Sequence, residues 1–153
     1  MPPAILGRAA MSSSPPSPQT PPERLRFAEF TMDRLPTGQC KARVVLSWQG
    51  EERFEGVCEG LTSPEGELRC AAQACVAALT EAVEGKVKFD LLGVKAVRAF
   101  DSTVVIVSLA THGDDGRRRI VGSVLTEEDL SRAAALAVMN ATNRLMGNLV
   151  DMR

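Results

Sequence analysis

Tyrosine is absent from this chain, and tryptophan and histidine occur once each, as Trp48 and His112. So few aromatic side chains argue against a base-stacking surface, although Trp48 and Phe54 are spaced to meet across a hairpin. A single histidine removes the His-rich donor sets of zinc sites and leaves no second histidine for a catalytic triad. The four cysteines, Cys40, Cys58, Cys70 and Cys75, form no C-x-x-C pair. They read as small apolar residues of a reduced core, not as a metal or redox centre. Neither sign of charge prevails: 18 Lys and Arg face 19 Asp and Glu. There is thus no electrostatic case for nucleic acid. Long apolar runs are missing too, which excludes a transmembrane helix and a secretory signal. The expectation is a cytoplasmic protein with no metal and no cofactor.

What is present is organised in two parts. Seven of the nine prolines fall before residue 23, with Ser12, Ser13, Ser14 and Ser17 among them. Such a stretch buries too little apolar surface to offset chain entropy, so residues 1–22 read as a disordered Pro/Ser-rich tail, with Met11 an alternative start. Residues 23–149 read as one α+β domain, in which a supersecondary unit occurs twice, over 24–85 and 86–148.

The first unit opens with a strand at Leu25–Met32 and turns at Pro36–Gly38. It continues through Cys40–Trp48, reverses at Gln49–Glu52 and returns over Arg53–Glu59. Ser63, Pro64 and Glu65 then form a helix start: a side-chain acceptor, a residue lacking only an orphan donor, and a carboxylate at the positive dipole end. Leu68, Ala71, Ala72, Cys75, Leu79 and Ala82 fall on one stripe, and Gly85 serves as a left-handed cap. In the second unit, Val87–Arg98 is a strand with a kink or bulge at Gly93. Phe100–Ser102 is a turn, Thr103–Ala110 the most strongly β-forming run, and His112–Gly116 a polar loop before Arg118–Val124. Thr126 caps the second helix, with Asp129 at the reciprocal capping-box position. Its apolar stripe is Leu130, Ala133, Ala134, Ala137, Ala141 and Leu145. Two β-β-β-α repeats of this kind place antiparallel sheets against two alanine-rich helices.

This order resembles the C-terminal allosteric, dimerising domain of 2-isopropylmalate synthases, over residues 24–148. The resemblance is carried by Leu92-Gly93-Val94-Lys95-Ala96-Val97, by Asp101 after the turn, by Gly122-Ser123-Val124-Leu125-Thr126-Glu127-Glu128-Asp129-Leu130, and by Ala141-Thr142-Asn143-Arg144-Leu145. It implies a non-enzymatic regulatory module that dimerises and binds a small apolar metabolite such as leucine, a branched-chain amino acid. A chain of 153 residues has no room for the family's catalytic barrel, of about 250 residues. Where that family carries Gly-x-Gly-Pro-Val-Asp before its first helix, this chain has Leu61-Thr62-Ser63-Pro64-Glu65-Gly66. The proline is kept, and the glycines that admit a close backbone approach are replaced.

Ser63, Gly122, Thr126 and Asp129 are the candidate ligand-binding residues, since helix N-termini offer free amides to a carboxylate. Ordinary capping is the competing reading of the same residues. Asp101 and Asn143 are assigned structural roles. Asp101, Ser102, His112, Asp114 and Asp115 include acid–base types, but they read better as turn and loop residues, so no catalytic set is expected. Arg117-Arg118-Arg119 reads as a solvated strand edge, and the amides of Asn140 and Asn143 as local backbone caps. Val76, Leu136 and Met139 lie off the helix stripes, which points to a homodimer. The alternative is a structural adaptor that binds a partner protein and no metabolite.

Overall fold

The computed structural model describes residues 25–114 and 116–151, with side chains described as far as Asn143; the Pro/Ser-rich stretch lies outside the described residues. The elements are β1 (Leu25–Arg34), β2 (Gln39–Trp48), β3 (Glu52–Leu61), α1 (Pro64–Ala82), β4 (Lys88–Ala99), β5 (Ser102–Gly113), β6 (Gly116–Thr126) and α2 (Leu130–Asp151). They form two three-stranded antiparallel sheets, β1-β2-β3 and β4-β5-β6, each followed by a helix. The fold is the α+β arrangement of two β-β-β-α units expected from the sequence.

Alternation decides which face of each strand is buried. In β2, Cys40, Ala42, Val44 and Leu46 face inward; in β5, Val105, Val107 and Leu109 do. A fully buried Val or Leu contributes about 1.5–3 kcal/mol, so these two central strands anchor the core. Both first strands carry a bulge at matching places, at Ala28 between Phe27 and Glu29 and at Leu92 between Leu91 and Gly93. The second is the irregularity expected next to Gly93.

The helices come unusually close to the sheets, and glycine is why. Gly56 of β3 and Gly122 of β6 lie beneath α1 and α2. A Cβ on Gly56 would sit 2.0 Å from the Ala74 carbonyl oxygen, and one on Gly122 would sit 2.2 Å from that of Ala137. Alanine on the helix and glycine on the strand together let two backbones touch. Neither helix keeps to its own sheet: α1 lies on β2 and β3 but also on β4, α2 lies on β5 and β6 and reaches β1, and the helices pack on each other. The result is one continuous core.

That crossed packing corrects several expectations. Val76 is only 3% exposed, covered in a helix face wide enough to serve the sheet, the other helix and β4 together. Leu136 and Met139 are half-buried, and Leu145 lies outside the described side chains. The helix faces therefore leave less apolar surface open than their stripes suggest. Thr126 is not the cap of α2: it remains paired with Thr103 in β6, and its hydroxyl accepts from the Glu128 amide at 3.2 Å. Asp129 is the cap, its carboxylate accepting from the Arg132 amide at 3.0 Å and its carbonyl from Ala133. His112 and Gly113 end β5 and Gly116 begins β6, so the expected polar loop is largely strand. At the end of α1 the Gly85 amide donates to Thr80 and that of Glu84 to Glu81, a Schellman closure. The left-handed position next to the helix is taken by Glu84 (φ 57°), with Gly85 (φ 75°) following it.

Candidate functional site

The N-terminus of α1, the N-terminus of α2 and the end of β1 converge on an open groove of about 700 Å³. Ser63 begins one wall. As N-cap it accepts from the Gly66 amide at 3.0 Å, with Pro64 at the first helical position, as its sequence dictates. Asp129 and Ser131 begin the opposite wall, and Phe30 and Met32 contribute the apolar floor with Leu68 and Leu130.

Arg34 closes one end. Its guanidinium forks onto Glu67, Nε to Oε2 at 2.8 Å and Nη2 to Oε1 at 2.7 Å, and this hydrogen-bonded carboxylate raises the Arg34 pKa. The Arg34 side chain stays largely exposed, so its outward edge remains open to a second anion. Ser131 is the most informative residue of the groove. The residue is 8% exposed, and among the described residues its hydroxyl has no hydrogen-bond partner. A buried hydroxyl left unpaired costs about 1–3 kcal/mol, which a ligand oxygen or water in the groove offsets. The Leu130 and Ser131 amides at the head of α2 likewise precede the first capped amide.

The groove brings together Ser63 and Asp129. Thr126 lies beside it, in an adjoining depression of about 690 Å³ that shares Glu128 and Asp129. Gly122 stands apart: the space above it is filled by α2, so its missing side chain serves helix packing. Asp101 (φ 62°) follows Phe100 (φ 53°) in the two-residue turn between β4 and β5. Asn143 is exposed on α2, and Asn140 accepts from the Ser123 amide of β6 at 3.2 Å, the local backbone cap expected of it. Arg34, Glu67 and Ser131 were missed by sequence reasoning. Arg34 and Glu67 are 33 residues apart, and only the Ser at the second position of a helix hinted at Ser131.

Chemically the groove offers amides, a hydroxyl and a guanidinium for a carboxylate, Glu128 and Asp129 for an ammonium group, and an apolar floor for a short side chain. Among the described residues no cluster of His, Cys, Asp or Glu suited to a metal ion occurs. The cysteines lie elsewhere. Cys70 donates to the Cys58 carbonyl at 2.9 Å, and burial, with Cys58 close by, pushes its thiol up to about 12. Cys75 is raised by burial alone. Such thiols stay protonated and unreactive near neutral pH. No helix among the described residues is long and apolar enough to cross a membrane. Comparison with known protein families and with curated proteins finds none that matches this chain.

Proposed function

We propose that this protein is a non-enzymatic regulatory module that holds a small amino-acid-like metabolite between its two helix N-termini. The resemblance to the allosteric domain of 2-isopropylmalate synthases supports this reading, and so does the way the groove's polar groups are disposed. The observation that carries it is the unpaired, buried Ser131 hydroxyl in a groove that Arg34 and two helix heads also face. A carboxylate accepts from these donors, and the Phe30–Met32 floor suits a branched aliphatic side chain.

Thermal unfolding with a panel of branched-chain amino acids and their 2-keto acids tests it. A ligand at one hundred times its Kd adds about 2.7 kcal/mol of stability. Saturable stabilisation by the amino acids, lost in Ser131→Ala and Arg34→Gln, is expected. A flat response across the panel overturns metabolite binding. It would favour the adaptor reading, in which the chain binds a partner protein and no metabolite.

A further inference from the structure

Three of the four cysteines meet where α1 lies on the first sheet. Cys40 of β2 stands opposite Gly60 of β3, and Ala42 stands opposite Cys58, so Cys40 and Cys58 are diagonal neighbours on the inner face. Cys70 of α1 comes down between them. Its Sγ lies 2.9 Å from the Cys58 carbonyl oxygen and 4.0 Å from that of Cys40. Gly60 makes room for this approach: a Cβ there would lie 3.7 Å from the Cys70 Cβ and 3.9 Å from its Sγ. A disulfide needs two Cα atoms within about 7 Å of each other, a spacing that a helix keeps from a sheet only where the backbones come this close. Exposure separates the three thiols. Cys40 and Cys70 are buried, whereas Cys58 is half-buried. Together with Cys70 it lines a depression of about 450 Å³ between α1 and the edge strand β3.

We infer that Cys58 and Cys70 are a dithiol that hydrogen peroxide closes to a disulfide, clipping the second turn of α1 to β3. Cys58 is the thiol that the oxidant reaches. Its sulfur attacks one peroxide oxygen, the O–O bond breaks, and Cys58 becomes a sulfenic acid as water leaves. The Cys70 sulfur then attacks the Cys58 sulfur. The S–O bond breaks, and the hydroxide departs with the Cys70 proton as a second water. The two thiols lose two electrons, and the peroxide takes them. The Cys58 thiol donates only weakly, to the neighbouring Glu59 carbonyl at 3.6 Å, so a χ1 rotation carries its sulfur toward Cys70 with the backbone in place. The Cys40 thiol is engaged with the Leu61 carbonyl at 3.5 Å, and Cys75 is sealed in the core. The depression also selects the oxidant. Glu59, Glu65 and Arg69 line it, so a disulfide reagent that carries carboxylates meets a net negative charge, whereas hydrogen peroxide is uncharged.

This modification site is independent of metabolite binding, and its test needs no ligand. The full chain is reduced, freed of reductant and treated with a few-fold excess of hydrogen peroxide, and its thiols are counted after unfolding. The four free thiols should fall to two. The mass should drop by about 2 Da, the mapped cross-link should join Cys58 to Cys70, and dithiothreitol should restore all four thiols. Cys58→Ser should keep its remaining thiols under the same treatment. Cys70→Ala, which suits the alanine-rich helix, should stop at a Cys58 sulfenic acid that dimedone labels. Four thiols surviving in the wild type overturn the inference, whatever the variants do. A link from Cys58 to Cys40 or to another chain overturns the pairing. Dimedone labelling of wild-type Cys58 without loss of the Cys70 thiol overturns the role given to Cys70.

Discussion

Replacing Gly122 by alanine adds one carbon where α2 rests on β6. The new Cβ would lie 2.2 Å from the Ala137 carbonyl oxygen, 2.5 Å from the Ala141 nitrogen and 2.8 Å from the Ala141 Cα. All three are backbone atoms of one helix, so no side chain can swing aside. Relief requires α2 to lift from the sheet by about 1 Å, and a gap of that size forfeits a quarter to a half of each dispersion contact it opens. The contacts at risk belong to Ala133, Ala134 and Val138, all packed tightly in the core. Overpacking with mobile neighbours costs about 1–3 kcal/mol; with a rigid obstruction we expect the upper end or slightly beyond, about 3–4 kcal/mol. Gly→Ala also stiffens the unfolded chain, which returns about 0.4–1 kcal/mol. The net loss is then about 3 kcal/mol, or about 10 °C in Tm. Urea unfolding followed by circular dichroism measures it. Gly93→Ala is the control, because its Cβ would meet nothing within 4 Å. A Gly122→Ala protein within about 0.5 kcal/mol of wild type, at unchanged m, would refute the claim that glycine sets the helix–sheet distance.

Gly56→Ala should behave like Gly122→Ala, since its Cβ would meet the Ala74 oxygen and the Ala78 nitrogen of α1. Asp129→Ala should cost about 1 kcal/mol as the loss of a helix cap and Thr126→Ala distinctly less, by the same urea titration; equal effects would contradict the cap assignment. In the folded chain burial holds Cys70 and Cys75 protonated, while unfolded thiols ionise near about 8.5. Their contribution to stability is therefore intact below that pH and declines as pH rises toward about 12. Melting curves from pH 8 to 11 should fall less steeply for Cys70→Ala than for wild type.

Local pattern carried most of the fold. Period-two runs gave the six strands, and Ser63-Pro64 gave the start of α1, because strand alternation and capping act within a few residues. The cap of α2 went to the wrong side chain because Thr126 and Asp129 both suit the role. What separates them is that β6 stays paired with β5 through Thr126, a contact 23 residues away in sequence. Val76 looked uncovered for a similar reason: a helical stripe counts residues facing one neighbour, and α1 has three. Of the groove, Ser63 and Asp129 were legible as helix heads. Their convergence on Arg34 and Ser131 was not, since it depends on how two distant helices lie together.

The reach of α1 onto β4 and of α2 back to β1 has a consequence for how the chain tolerates being rearranged. Each half completes the other's interior, and the tether from Glu84 to Val87 is the covalent link between them. A tether this short holds the local concentration of one half about the other far above that of any rival chain. Cut there, the fragments should reassociate through the surfaces they already share. Shortened until it can no longer turn back, the tether should make halves of two molecules trade places, giving an exchanged pair with no new contact between side chains.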